Sequence, residues 1–210
     1  MFATVLPETQ RRALALLGES KILDYAYLAG GSALALQLNH RQSIDFDFFT
    51  AKDFLPSGLA SRLLAVGEFI QGKAEKGTVL GEFEKIKFSL FTYPYSLLQK
   101  PAVFLGIKIA RLEDIAPMKL TAISDRGNKK DFIDIYFLIK QFSLEKILQF
   151  YEQKYRKLEV NLVSILKSLT YFVDAEEQVM PKMVKQVGWE VVKSFLREER
   201  DKLVREKGWV

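Results

Sequence analysis

Asp45 and Asp47, separated by a single phenylalanine, are the side chains in this sequence best suited to hold a divalent cation. Mg²⁺ takes oxygen ligands at about 2.0–2.1 Å and keeps positions open for water or substrate phosphates. Upstream, with 12 residues between Ser32 and Asp45, stands Gly30-Gly31-Ser32. Two glycines permit backbone angles and close approaches that a Cβ obstructs. A serine at the start of a helix can cap it or donate to a phosphate oxygen, and the helix dipole there favours an anion. Alone, the first motif reads equally as a capped strand-to-helix turn and the second as a strand face with solvated acids. Together they imply chemistry on a nucleoside triphosphate. Arg41 and Ser43, in the connection between the motifs, could also contact phosphate.

The elements that must position these residues follow from the flanking pattern. Tyr25–Ala29 is apolar and aromatic, which predicts a buried strand. Ala33–Leu38 consists of strong helix formers, so Ser32 falls near a helix start. Ile44, Phe46 and Phe48 alternate with Asp45 and Asp47, predicting a strand with one apolar face. Both carboxylates then leave the opposite face, roughly 6.6 Å apart along the strand. Phe83–Phe91 reads as another strand, and Gly72–Gly77 as a solvated hairpin turn. His40, the only histidine, rules out a multi-histidine metal site and fits a turn.

Beyond residue 112 the pattern becomes helical. Asp114 is placed to cap a helix whose first turn holds Pro117 and which Gly127 ends. Lys119 and Arg126 are two turns apart and share a face. Lys119 could steady a triphosphate and Arg126 could clamp a phosphate with its fork, or both could be ordinary surface cations. Asn128 caps a second helix, with Ile133, Tyr136, Phe137 and Ile139 for the core and Lys130 at ion-pair spacing from Asp134. Leu144, Ile147, Leu148, Tyr151, Tyr155 and Leu158 form a packing stripe. Asp174, Glu176 and Glu177 form an acidic surface patch, and Trp189, Val192 and Phe195 share one face of a terminal helix.

Gly30-Gly31-Ser32 with Asp45-x-Asp47 resembles the signature of the polymerase-beta-like nucleotidyltransferase superfamily. The fuller string from Leu28 to Phe49 is similar to the AbiEii/AbiGii toxin family of bacterial nucleotidyltransferases. Tyr93-Pro94-Tyr95, Leu112–Ile123, Arg126–Asp134 and Tyr171–Glu176 extend the similarity over most of the chain. The resemblance implies transfer of a nucleoside monophosphate from an NTP to a hydroxyl acceptor. Asp45 and Asp47 would be the catalytic Mg²⁺ ligands, and Gly30, Gly31, Ser32, Arg41 and Arg126 would bind nucleotide. Lys119 would neutralise developing charge. The acceptor would be tRNA or another macromolecule, and the protein would act as a toxin held in check by an antitoxin. In the superfamily a neighbouring strand supplies a third carboxylate; the matching position here is Ser89, which supplies none. Asp134, from a Lys-Asp-x-x-Asp element, is the candidate replacement base, with orientation of Lys119 or Arg126 as its other reading. A fold of this kind that binds nucleotide or RNA without catalysis is the alternative.

Composition is compatible with both readings. Of 210 residues, 49% are hydrophobic and 27% charged, near globular averages, so a packed core is expected. There is no cysteine, which excludes disulfides and thiolate metal sites. A net charge of +5 suits a polyanionic partner. No basic N-terminal segment precedes a long apolar run, and no apolar stretch reaches membrane-span length. A cytoplasmic protein with no membrane partner is the expectation. Glycine turns and short β-like runs before residue 110 give way to long helical patterns after it. The predicted architecture is α+β: a nucleotidyltransferase-like mixed sheet with flanking helices over 1–110, followed by a helical part over 111–210.

Overall fold

The computed structural model describes residues 1–156 and 162–209. It divides into two compact units, Met1–Arg111 and Leu112–Val210.

The first unit holds the described strands: β1 (Tyr27–Leu28), β2 (Phe46–Thr50), β3 (Phe69–Glu75), β4 (Thr78–Phe83), β5 (Ile86–Thr92), β6 (Ala102–Phe104) and β7 (Ile107–Ile109). They form one mixed sheet in the order β3-β4-β5-β2-β1-β7-β6. β2 runs parallel to β5 and β1 parallel to β7, while the other neighbours are antiparallel. The helices of this unit are α1 (Glu8–Ser20), α2 (Gly30–Leu38) and α3 (Pro56–Leu64). Ala33, Leu34, Ala35 and Leu36 of α2 are all fully buried, so this helix is apolar all round rather than amphipathic. Phe46 and Phe48 of β2 are fully buried beside Phe88 of β5, with the Phe48 and Phe88 rings 5.5 Å apart. Such ring pairs add about 0.5–1.5 kcal/mol beyond area burial, which anchors the strand behind its polar face.

Local geometry departs from the sequence pattern at several places. The run Tyr25–Ala29 contributes only two ladder residues, Tyr27 and Leu28. Asp45 precedes β2 rather than lying in it, and Ile44 is 57% exposed instead of packing with Phe46 and Phe48. The β1–β2 ladder pairs only Tyr27 with Phe49 and Leu28 with Phe48, so residues before Phe46 have no β1 partner to order them as strand. Phe83–Phe91 is two strands, not one. Glu84 and Lys85 turn the chain with φ of 50° and 62°, the left-handed geometry that a two-residue hairpin requires. Likewise the turn within Gly72–Gly77 is confined to Lys76 and Gly77, and Gly72–Glu75 continue β3.

The second unit consists of helices α4 (Leu112–Arg126), α5 (Lys129–Gln141), α6 (Leu144–Lys154), α7 (Leu162–Ser168), α8 (Val173–Glu176) and α9 (Trp189–Glu206). Asp114 does not cap α4: it lies inside the helix, fully buried, accepting from Lys154 Nζ at 2.7 Å. Pro117 consequently falls well inside the helix rather than in its first turn, at the cost of one backbone bond. Gly127 ends α4 with φ of 52°, its N–H donating to the Ile123 carbonyl at 3.1 Å. Asn128 holds the N-cap position of α5, yet its side chain accepts from Gln178 instead of capping. Ile133, Tyr136 and Ile139 are buried as their spacing predicts, and Phe137 is half-buried. Of the packing stripe, Leu144, Ile147, Leu148, Tyr151 and Tyr155 are buried; Leu158 lies outside the described residues. Val192 of α9 is fully buried, while Trp189 meets the rings of Phe132 and Phe172 and Phe195 meets Tyr136. Glu176, from the acidic patch, accepts from Trp189 Nε1 at 3.0 Å and Lys193 Nζ at 2.7 Å. Among the described residues, no helix is long and apolar enough to cross a membrane.

Candidate functional site

β1 ends where the Ala29 N–H donates to the Asp47 carbonyl at 2.9 Å. Gly30 then turns the chain into α2 with φ of 64°. Its Cα faces the Asp47 carboxylate so closely that a Cβ would lie 2.7 Å from Oδ2. A Cβ on Gly31 would meet Arg41 Nη2 at 2.7 Å and Ser43 Oγ at 2.8 Å. Both glycines are therefore dictated by contact: one seats against an acid, the other against a guanidinium and a hydroxyl. The first N–H groups of any α-helix lack intrahelical partners, so α2 brings free donors and its positive dipole end to this turn.

Ser32 is buried, and its hydroxyl neither caps α2 nor faces outward. It donates to the Asp45 carbonyl at 2.5 Å, with Ser43 Oγ 3.1 Å away. The effect is to tie the glycine turn to the backbone that carries the first aspartate. Arg41 is 3% exposed and donates through Nη1 to the Gln42 carbonyl at 3.0 Å. His40 beside it is fully buried. Burial along β2 alternates: Phe46, Phe48 and Thr50 are buried, while Asp47 and Phe49 are half-buried on the other face.

Ser89 is the cross-strand partner of Asp47 in the parallel β2–β5 ladder. Its hydroxyl donates to Asp47 Oδ1 at 2.7 Å. Glu84, the acid nearest in sequence, sits in the hairpin turn and accepts from the Glu68 N–H at 2.7 Å. Two rows further along the same ladder, Phe49 pairs with Phe91 and stacks on Tyr27, and Tyr93 packs against Phe49 at 5.3 Å.

In the second unit, four sequence-predicted residues form one network. Lys119 is buried between Asp131 at 2.8 Å and Asp134 at 2.6 Å. Arg126 clamps Asp131 with its fork, Nε to Oδ2 at 2.9 Å and Nη2 to Oδ1 at 3.2 Å. Asp131 and Asp134 are fully buried, whereas the Arg126 side chain is 53% exposed. Burial pushes the Asp131 carboxyl up, but Lys119 and Arg126 together outweigh it and hold the group below the usual carboxylate range. Lys130 is exposed, and the carboxylate of Asp134 reaches Lys119 on the neighbouring helix. The buried Asp114–Lys154 pair gave no signal in the sequence, since its members are 40 residues apart and Asp114 reads locally as a helix cap.

Asp45 and Asp47 offer hard oxygen ligands suited to Mg²⁺, and Ser89 meets Asp47 with a neutral hydroxyl. Among the described residues, no group of three or more His, Cys, Asp or Glu side chains gathers as a ligand set. A cation at this pair would therefore share its shell with phosphate oxygens and water, as Mg²⁺ does at phosphoryl-transfer sites.

A mixed sheet, a glycine turn that opens α2 against Asp47 of β2, and trailing helices make this a nucleotidyltransferase-like fold. The structure is similar to that of JHP933 from Helicobacter pylori, with a TM-score of 0.56 and 19% identity over 96% of this chain and 93% of that one. It is also similar to MenT4, a nucleotidyltransferase toxin of Mycobacterium tuberculosis, with a TM-score of 0.55 and 13% identity over 91% and 80%. No protein-family model matches the chain. By sequence it belongs to the family of the uncharacterized protein aq_aa25 of Aquifex aeolicus, with 38% identity over 200 residues, 92% of this chain and 95% of the relative.

Proposed function

We propose that this protein is a metal-dependent nucleotidyltransferase of the AbiEii/AbiGii toxin kind, moving a nucleoside monophosphate from an NTP to an acceptor hydroxyl. The observation that carries this reading is the seating of Gly30 against Asp47, with Ser32 bound to the Asp45 carbonyl. A phosphate-binding helix start and a cation-binding pair are thereby built as one object. The solved toxin MenT4 supports it through the shared fold.

In the proposed reaction the acceptor oxygen bonds to the α-phosphorus, the bond to pyrophosphate breaks, and the hydroxyl proton passes to water. Gly30 and Gly31 let phosphate oxygens approach the N–H groups at the start of α2. Arg41, beside Gly31, compensates phosphate charge. Asp45 and Asp47 hold Mg²⁺, which when bound stabilises charge on the reacting phosphate. Ser89 fixes the rotamer of Asp47 through a neutral hydroxyl. Lys119 and Asp134 act as positioning residues within the second unit: Asp134 and Asp131 both bind Lys119, and Asp131 in turn fixes the Arg126 fork. The acceptor is tRNA or another macromolecule, and an antitoxin would restrain the activity in the cytoplasm.

The test is incubation with each labelled NTP and total RNA, in Mg²⁺ and in chelator, with Asp47→Asn alongside. Label incorporated only with Mg²⁺ and only by the unsubstituted protein supports the assignment. The second reading, a nucleotide- or RNA-binding protein without catalysis, is favoured by Ser89 standing where a carboxylate would complete the acidic set. It is adopted if RNA binds in a salt-sensitive manner while none of the four NTPs yields product.

A further inference from the structure

The network around Asp131 has an outer side that the proposed transfer reaction does not use. Next to Arg126, a cleft of about 300 Å³ opens in the second unit alone, lined by α4, α7 and the residues that follow them. That volume lies at the lower end of the range for small-molecule sites. Its walls are about half polar. Ser124 and Ser168 are hydrogen-bonded to each other on its wall, with their hydroxyl oxygens 2.8 Å apart. Arg126 and Lys167 line it as cations, Asp125 and Asp174 as anions, and Tyr171, 56% exposed, supplies an aromatic ring.

Arg126 is not a loose surface arginine. Two of its nitrogens are fixed on a fully buried carboxylate, which Lys119 holds in turn, so its guanidinium plane is set before any ligand arrives. An arginine held in this way loses less entropy on binding a phosphate than a free one. The cleft is nonetheless not a plain anion trap, because its two carboxylates offset its two cations. A ligand that suits all of these groups carries an anion, hydroxyl donors and a flat ring together.

We propose that this cleft binds a phosphorylated ribose unit with its base. The phosphate goes to Arg126 and Lys167. Ribose hydroxyls donate to Asp125 or Asp174 and exchange hydrogen bonds with Ser124 and Ser168. The base lies on Tyr171, since bases of single-stranded nucleic acid stack on exposed aromatic rings. The unit belongs either to an RNA strand or to a free nucleotide.

The experiment uses the full chain carrying Asp45→Asn and Asp47→Asn, in chelator, so that metal-bound nucleotide at the glycine turn does not contribute. A labelled RNA hexamer is followed by fluorescence anisotropy, with AMP and inorganic phosphate as competitors. We expect the hexamer to bind and AMP to displace it at far lower concentration than inorganic phosphate. Lys167→Ala and Tyr171→Ala, both at exposed positions, should each weaken binding by roughly tenfold, the effect of one charge-assisted bond or one stacked base. Arg126→Lys keeps the charge, loses the fork, and should weaken it similarly. A hexamer that binds more tightly than AMP identifies a strand as the source; equal affinity identifies a free nucleotide. The proposal is overturned if neither ligand binds, if inorganic phosphate competes as well as AMP, or if all three variants keep full affinity with an unchanged melting profile.

Discussion

The two units treat carboxylates in opposite ways. In the first, Asp47 sits on a half-buried strand face and is held by a neutral serine hydroxyl at 2.7 Å. In the second, Asp131 is fully buried and held by a lysine and an arginine. A neutral donor orients an acid while leaving its charge for something that arrives later. Two cations neutralise an acid and make it part of the scaffold. The same residue type is thus kept available in one unit and consumed as structure in the other, and burial with partner charge decides which.

The most severe way to break this contrast is to remove the scaffold acid. Asp131→Asn removes the carboxylate that Lys119 and Arg126 share, and should cost about 3 kcal/mol in urea denaturation, the low end for a broken buried pair because Asp134 still holds Lys119. Asp47→Asn should change the same transition far less while abolishing transfer. Equal losses of stability for the two would end the distinction. Acid titration addresses the same group. The Asp131 carboxyl is depressed when folded, so its contribution to stability is complete above its unfolded value, near 3.8, and is lost as pH falls below that toward the folded value. Following the helical signal by circular dichroism should show an acid transition that Asp131→Asn shifts or removes.

A smaller effect is expected from ligand linkage. NTP with Mg²⁺ at a hundredfold excess over the dissociation constant should stabilise the protein by about 2.7 kcal/mol. The Asp45→Asn, Asp47→Asn double variant should show little of this, and a melting curve indifferent to both Mg²⁺ and the substitutions would remove the metal assignment. Gly30→Ala tests the turn itself. The methyl group meets Asp47 Oδ2 at 2.7 Å in a left-handed backbone, so a loss of about 1–3 kcal/mol and weaker NTP binding are expected in the same titration. The mildest change is Ser89→Asp, which sets two acids side by side on adjacent strands. Without metal it should destabilise by about 0.2–1 kcal/mol, and Mg²⁺ should reverse the sign. If Mg²⁺ has no effect on this variant, the side chain at position 89 does not face the cation.

The residues most legible in advance were those whose role is set by their own backbone. Gly127 ends α4 because a left-handed residue is needed there, and glycine adopts it without penalty. Phe46 and Phe48 are buried and Asp47 is not, since a strand sends alternate side chains to opposite faces. An α/β half followed by a helical one was readable from the same periodicities, while the mixed sheet was what the resemblance to nucleotidyltransferases implied. The hairpin at Glu84–Lys85 was missed because neither residue is the usual choice for positive φ. The register imposed by β4 and β5 holds them there. Asp114 was misread as a cap for a related reason: a capping acid and a buried one look alike until Lys154 is brought to it.

Sequence alone settled which residues are capable of chemistry here and the local shapes they adopt, because φ preferences, strand alternation and helix breaking act over a few neighbouring residues. It placed Ser32 near a helix start and set Lys119 and Arg126 on one helical face. Only the folded chain could direct the Ser32 hydroxyl to the Asp45 carbonyl, bring Ser89 beside Asp47, and close Ser124 on Ser168 from 44 residues away. Those choices depend on which backbone or side chain ends within about 3 Å of a donor. That distance is fixed by how sheet and helices pack, and no periodicity along the chain encodes it.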